Sequence, residues 1–223
     1  MFKIHSVDTF SNVYQNKSFR EDFLTRSDGS HWLSKGRWSE DVFRNSTPIV
    51  LELACGKGDY TMALSALNPD KNYIGVDIKG ARIYTGAKAA LENNRTNVAF
   101  ARLRIENILN FFAPAEISEI WITFPDPYPG KSAARHRLTY SRFLAYYKSI
   151  LAPGGLVHLK TDNLPLFQYS AESVKEFGGE MNYYKEDIYA SPLDYDYLEV
   201  KTFYEKQHLS NGRTINYMNF RLP

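Results

Sequence analysis

The feature that most constrains this chain is the regular alternation, from Pro48 onward, of short apolar runs with longer helical stretches. Ile49-Val50-Leu51-Glu52-Leu53 reads as a buried strand ending in a tight turn at Gly56 and Gly58. Tyr60–Leu67 has helical spacing and stops at Asn68-Pro69-Asp70. A second strand, Tyr73–Val76, ends at Asp77. An Ala-rich helix over Ala81–Leu91 and a third strand, Val98–Leu103, follow. Ile117–Phe124 is a strand closed by Pro125-Asp126-Pro127. Leu138, Phe143, Leu144, Tyr147, Ile150 and Leu151 then mark one helix face, stopped by Pro153-Gly154-Gly155. Leu156–Lys160 is the next strand, ending at Thr161-Asp162, with a helix from Leu164 to Phe177. Two last strands, near Tyr183–Tyr189 and Thr214–Leu222, have no long helix between them. Such a pattern demands βαβ units. It predicts an α/β fold with a Rossmann-like open, mostly parallel sheet, helices on both faces and an antiparallel C-terminal edge.

A length of 223 residues fits one domain. Residues 1–45 are polar but hold eight aromatics (Phe2, Phe10, Tyr14, Phe19, Phe23, Trp32, Trp38, Phe43), so they read as an ordered arm packed on a domain over 46–223. A single Cys excludes a disulfide framework and a Cys-based zinc site. No apolar run nears 18 residues and Met1–Arg20 has no apolar signal core, so neither a membrane span nor a secretory leader is expected, and the cytoplasm is the expected compartment. His5, His31, His136, His158 and His208 lack ligand spacing, and no metal is expected; His158 alternates with core residues and reads as a satisfied histidine. Cys55 reads as a packing residue.

Ligands of such sheets bind beyond the carboxyl ends of the strands, so the residues after each strand carry the functional signal. Glu52-Leu53-Ala54-Cys55-Gly56-Lys57-Gly58 follows the first, and its two glycines let a ligand approach the backbone. Asp77 follows the second, 19 residues past Gly58, where a carboxylate can take both hydroxyls of an adenosine ribose. The acidic Glu52 and Asp59 would repel a pyrophosphate but suit a sulfonium and an amino group. S-adenosylmethionine (SAM) is therefore preferred over a dinucleotide.

The chain resembles the bacterial tRNA (guanine-N7)-methyltransferase family from about Lys35 to Glu205. The resemblance rests on Lys35-Gly36-Arg37-Trp38, the glycine turn, Asn68-Pro69-Asp70-Lys71-Asn72-Tyr73-Ile74-Gly75-Val76-Asp77 and Phe124-Pro125-Asp126-Pro127-Tyr128-Pro129. Pro153-Gly154-Gly155, Lys160-Thr161-Asp162-Asn163 and Thr202-Phe203-Tyr204-Glu205 continue it. It implies a class I SAM-dependent methyltransferase that modifies N7 of a guanosine in the variable loop of tRNA, as a monomer or homodimer. By position it implies that Glu52, Gly56, Gly58, Asp77 and Asp126 contact the cofactor, with Arg104 and Glu106 at its adenine edge. Asp126 and Asp162 would be catalytic, facing the target guanine. Lys131, Asp162, Thr202, Phe203, Tyr204 and Glu205 would form the substrate pocket. Ala54 departs from the family's first turn glycine, Arg104-Ile105 from its acidic adenine-edge residue, and Gly130 from the Lys that follows its Pro-Asp-Pro turn.

The chemistry agrees with this reading. Guanine N7 has an in-plane lone pair and no proton, so the site must align it rather than deprotonate it. Asp126, Asp162 and Glu205 are suitable acceptors for guanine N1–H and N2–H, and three prolines stiffen the Asp126 loop. Tyr128 is placed either to stack on a base or to pack at the rim. Whole-chain charge is +2, yet the segment between Pro127 and Thr161 has six cations and no acid, and Glu180–Glu205 carries −5. A basic segment beside the strand ends suits a phosphate backbone. The nearest alternative is methylation of an exocyclic amino group of a nucleobase, where Asp126-Pro127-Tyr128 would be the motif, although Thr202–Glu205 would then go unexplained.

Overall fold

The computed structural model describes residues 7–223; Phe2 and His5 lie outside them. Its strands are β1 (Val13–Gln15), β2 (Leu24–Thr25), β3 (His31–Trp32), β4 (Ile49–Leu53), β5 (Asn72–Asp77), β6 (Val98–Arg102), β7 (Ile117–Thr123), β8 (Leu151–Thr161), β9 (Glu180–Lys185) and β10 (Asn216–Arg221). The α-helices are α1 (Asp59–Leu67), α2 (Gly80–Glu92), α3 (Ser141–Ile150), α4 (Leu164–Glu176) and α5 (Phe203–Ser210). All strands join one sheet in the order β3-β2-β1-β6-β5-β4-β7-β8-β10-β9. From β1 across to β8 the pairs are parallel, and β10 runs antiparallel to both β8 and β9.

Side chains alternate across this sheet with period two, so each central strand feeds two cores. Leu51, Ile74, Ala99 and Ile120 meet Phe143, Tyr147 and Phe167 of α3 and α4 on one face. Val50, Tyr73, Phe100 and Trp121 meet Tyr60, Leu64, Ile83 and Ala87 of α1 and α2 on the other. Both faces of β4 and β5 are covered, which is why these strands read as continuous apolar runs. The chain moves from β4 outward to β5 and β6, then returns to β7 on the opposite side of β4. The switch point therefore falls between β4 and β7, and the cleft beyond their carboxyl ends is where a ligand fits.

Two differences from the sequence expectations have physical causes. The strand expected from Leu156 starts at Leu151, because Leu151 already pairs with Ile117; the register then shifts before Glu119 meets Leu156, and the Pro-Gly-Gly run absorbs that irregularity. Between β9 and β10, where only strands were expected, lies α5. It has no apolar stripe to announce it. What starts it is Thr202, whose hydroxyl accepts 3.1 Å from the Glu205 N–H as an N-cap.

The arm before β4 extends the sheet. β1 lies parallel to β6, and Tyr14, Trp32, Trp38 and Phe112 form a ring cluster with centroids 4.9–5.4 Å apart. Trp38 Nε1 donates to the Phe111 carbonyl at 2.9 Å, which satisfies the one polar atom of a fully buried indole. His158 is buried with Nδ1 2.7 Å from the Tyr217 hydroxyl and Nε2 3.2 Å from Glu119. Burial alone would raise the Glu119 carboxyl; hydrogen bonding and charge from His158, with Lys71 and Trp121, bring it down to about 2. No described helix is long and apolar enough to cross a membrane.

The antiparallel edge is locked by one buried ion pair. Lys160 of β8 and Glu205 of α5 are both 0% exposed, with Nζ 2.7 Å from Oε1. Burial pushes the Lys160 ammonium down, and the Glu205 carboxylate beside it opposes that shift. Lys160 also donates to the carbonyls of Leu198 and Val200, and Tyr189 donates to Glu205 Oε1. Removing one partner strands a charge: Lys160→Met should lower unfolding stability in urea by about 3–5 kcal/mol, whereas Lys160→Met with Glu205→Leu should recover most of it.

Candidate active site

Four strand ends build a cleft of about 210 Å³. Ala54 follows β4; Asp77 ends β5, with Ile78 and Lys79 next; Leu103 to Glu106 follow β6; Pro125, Asp126 and Tyr128 follow β7. Arg82 of α2 also lines it, as do His136, Leu138 and Phe143. A smaller hollow of about 60 Å³ continues it beneath α5, lined by Glu52, Cys55, Gly56, Lys57, Asp59, Thr123, Phe124, Thr202 and Tyr204. The two meet at Ala54 and Arg82.

The glycine turn is built from left-handed residues: φ is +57° at Ala54, +56° at Gly56 and +76° at Gly58. Their reasons differ. A Cβ on Gly56 would meet nothing within 4 Å, so this residue faces open space available to a ligand. A Cβ on Gly58 would stand 2.6 Å from the Phe100 ring, so packing excludes a side chain at this position. Ala54 holds with a methyl group a conformation that glycine adopts without strain.

Asp77 is 4% exposed and buttresses the turn. Its Oδ2 accepts 3.0 Å from Gly56 N–H and its Oδ1 accepts 2.7 Å from Lys79 N–H. Each oxygen keeps further acceptor capacity, and the residue lines the cleft. Glu52 is 4% exposed at the floor of the smaller hollow. Its Oε2 accepts from the Thr61 N–H at 2.8 Å and from the Thr61 hydroxyl; its Oε1 accepts 2.8 Å from the Thr123 hydroxyl. Burial raises the Glu52 carboxyl to about 7, against the lowering effect of these donors. Cys55 is buried, and desolvation pushes its thiol well up, which makes it an inert packing residue.

The loop after β7 is braced from below. Phe124 and Tyr128 have φ of +49° and +44°. Arg137 donates to the Pro127 carbonyl at 3.2 Å and to the Tyr128 carbonyl at 3.1 Å, and stacks 4.2 Å from the Tyr169 ring. Pro125 is buried beneath an exposed Asp126 at the lip of the cleft. Tyr128 is 38% exposed, and its ring lies 5.5 Å from His136.

α5 roofs the smaller hollow. Asp59 Oδ2 accepts 3.0 Å from the Phe203 N–H, meeting one of the unpaired donors of the helix start, and Lys57 Nζ lies 4.6 Å over the Phe203 ring.

The structure brings Glu52, Gly56, Asp77, Arg104, Glu106 and Asp126 to the two hollows, together with Thr202 and Tyr204. Asp162 stands one side chain away, in contact with His208, which stacks on Phe124. Phe203 faces solvent, and Lys131 is exposed outside both hollows. The Arg104 guanidinium turns onto Phe19 at 5.3 Å. Glu205, expected in the substrate pocket, is instead buried with Lys160 beneath α5, and its Oε2 has no partner. The basic segment is also smaller than its sequence count: Lys160 is internal and Arg137 is spent on the loop, which leaves Lys131, Arg135, Arg142 and Lys148 exposed. Arg82, not singled out from sequence, joins the two hollows; its place in the first turn of α2, five residues after Asp77, was the available signal.

The open parallel sheet with this cleft at its switch point has the Rossmann-like architecture of class I methyltransferases. Solved structures support the fold: a 16S rRNA methyltransferase, KamB, superposes with a TM-score of 0.64 at 15% identity, covering 87% of this chain and 97% of that one. An antibiotic-related methyltransferase gives 0.63 at 14% identity, over 82% and 92%. The family described as putative methyltransferase matches residues 46–218. A tRNA (guanine-N(7)-)-methyltransferase of Christiangramia forsetii is 50% identical over 191 residues, covering 84% of each chain. Those of Bacteroides fragilis and Bacillus subtilis are 48% and 34% identical, over 85% and 81% of this chain and 74% and 83% of theirs. The chain belongs to the tRNA (guanine-N7)-methyltransferase family.

The donors present fit SAM: a carboxylate for a ribose diol at Asp77, apolar walls at Ile78, Leu103 and Ile105 for a purine, and a desolvated acid at Glu52 near a cationic centre. The proton that Glu52 retains below about pH 7 sets the test. A folded pKa above the unfolded value means stability falls as pH rises from about 4.5 to 7, so Glu52→Gln should raise Tm at pH 8 and have little effect at pH 4.5. A cation bound beside Glu52 should also expel that proton. Calorimetry of SAM at pH 6.5 in buffers of different ionisation enthalpy should report more proton release for the native protein than for Glu52→Gln.

Proposed function

We propose that the chain uses its strand-end cleft to hold a guanosine of the tRNA variable loop with N7 facing a SAM methyl, in the cytoplasm. The observation that carries this reading is the exposed Asp126 at the lip of the cleft, on a loop braced by Arg137 and facing the Asp77 side.

SAM supplies a methyl group on a positively charged sulfur. The protein's work is placement. Asp77 and the Gly56 turn would hold the ribose and methionine portions, and Leu103, Ile105 and the Arg104–Glu106 rim would enclose the purine. N7 needs no base, so alignment is the main contribution, a term worth roughly 7–11 kcal/mol in well-oriented reactions. Positive charge moves to the guanine ring during transfer. Carboxylates fixed beforehand around that ring, Asp126 at the lip and Asp162 beyond Phe124, stabilise it and accept from N1–H and N2–H. Thr202 and Tyr204 complete the roof. Glu205 acts at a distance by anchoring α5, and the exposed Lys131, Arg135 and Arg142 offer phosphate contacts.

Asp126→Asn and Asp162→Asn should each lower kcat on tRNA by about 10²-fold, the scale of losing one preorganised electrostatic contact. SAM affinity by calorimetry should change far less. Near-normal turnover of Asp162→Asn at saturating tRNA would remove that residue from the proposed role.

A further inference from the structure

Asp162, the acid proposed to receive the guanine edge, already holds a donor in this structure. Its Oδ2 accepts 2.6 Å from Arg213 Nη1, and His208 Nδ1 stands 3.4 Å from the same oxygen. The Asp162 side chain is 13% exposed and that of Arg213 57%, so the acid lies beneath and the guanidinium outside.

We propose that Arg213 is an internal stand-in for the target base, a positioning residue that guanine must displace. The inference rests on the reading of Asp162 as the guanine acceptor. Its physical ground is the likeness of the two donors. The N1–C2–N2 edge of guanine is a guanidine built into a ring, with adjacent N–H groups in one plane, as in arginine. The Watson–Crick edges of adenine, cytosine and uracil each place an acceptor where guanine has one of these donors. A carboxylate whose Oδ2 already accepts one guanidinium N–H is oriented toward a donor of that kind.

The contact is not needed to hold α5. That helix is anchored by the Lys160–Glu205 pair, by Asp59 at its start and by the Thr202 cap. The turn after it is closed by its own backbone, with Gly212 N–H donating to the Leu209 carbonyl and Arg213 N–H to that of His208, both at 3.0 Å. Gly212, with φ of +71° and open space at its Cβ position, sits directly before Arg213. The Arg213 side chain, being mostly exposed, has solvent on its outer side to move into.

Guanosine, which is uncharged, separates this role from any phosphate contact. It would be titrated by ligand-observed NMR into the full chain with S-adenosylhomocysteine present. Arg213→Ala should bind guanosine about two- to fivefold more tightly than the native protein, the scale of releasing an exposed ion pair. Arg213→Lys, a point charge without the planar fork, should fall between the two. Asp162→Asn should weaken binding and abolish the gain from Arg213→Ala, and adenosine should not respond to Arg213→Ala. Equal or weaker guanosine binding by Arg213→Ala, with Asp162→Asn still weakened, overturns the stand-in alone. Unchanged binding by Asp162→Asn overturns the assignment of Asp162 itself, and the stand-in with it.

Discussion

A single buried carboxylate holds the switch point together. Glu52 is the penultimate residue of the central strand β4, points away from the Leu51 and Leu53 core, and joins three elements through Thr61 of α1 and Thr123 of β7. Burying an ionisable group costs free energy that only well-placed donors offset, and here all the donors come from the protein. The result ties the carboxyl ends of the paired strands β4 and β7 to the start of α1. The glycine turn starts from that point, Asp77 secures it through the Gly56 N–H, and α5 rests on it through Asp59. The cleft and its roof therefore share one foundation.

Charge is distributed with the same economy. A net charge of +2 is uninformative, because basic and acidic segments lie apart along the chain. Even the basic segment is divided by the fold. Lys160 is turned inward to Glu205, and Arg137 braces the Asp126 loop; Lys131, Arg135 and Arg142 remain exposed after β7 and at the start of α3, and Lys148 lies in the last turn of that helix. One cation locks the edge, one stiffens the loop, and the remainder are exposed.

The central βαβ framework was legible because β4 to β8 are buried on both faces and their apolar runs are broken by turn residues. β4 occupies Ile49–Leu53 as the sequence predicts. α5 was not legible, since Phe203–Ser210 lacks an apolar face and its stability comes from distant partners; the spacing of Thr202 and Glu205 was the one local cue. β2 and β3, two residues each, are too short for any period to register. In the site, sequence placed carboxylates at the correct strand ends but not the direction of each. Whether Glu205 faces a pocket or Lys160, and whether Asp162 stands open or holds Arg213, depends on contacts 45 and 51 residues apart.

The account turns on one chemical outcome, the atom that receives the methyl group. Incubating the protein with isotopically labelled SAM and unmodified bulk tRNA, digesting to nucleosides and resolving the products tests it directly. Label in N7-methylguanosine, mapped to the variable loop, is the predicted result. Label in a base methylated on an exocyclic amino group, or no transfer to tRNA by a protein that binds SAM, would contradict it.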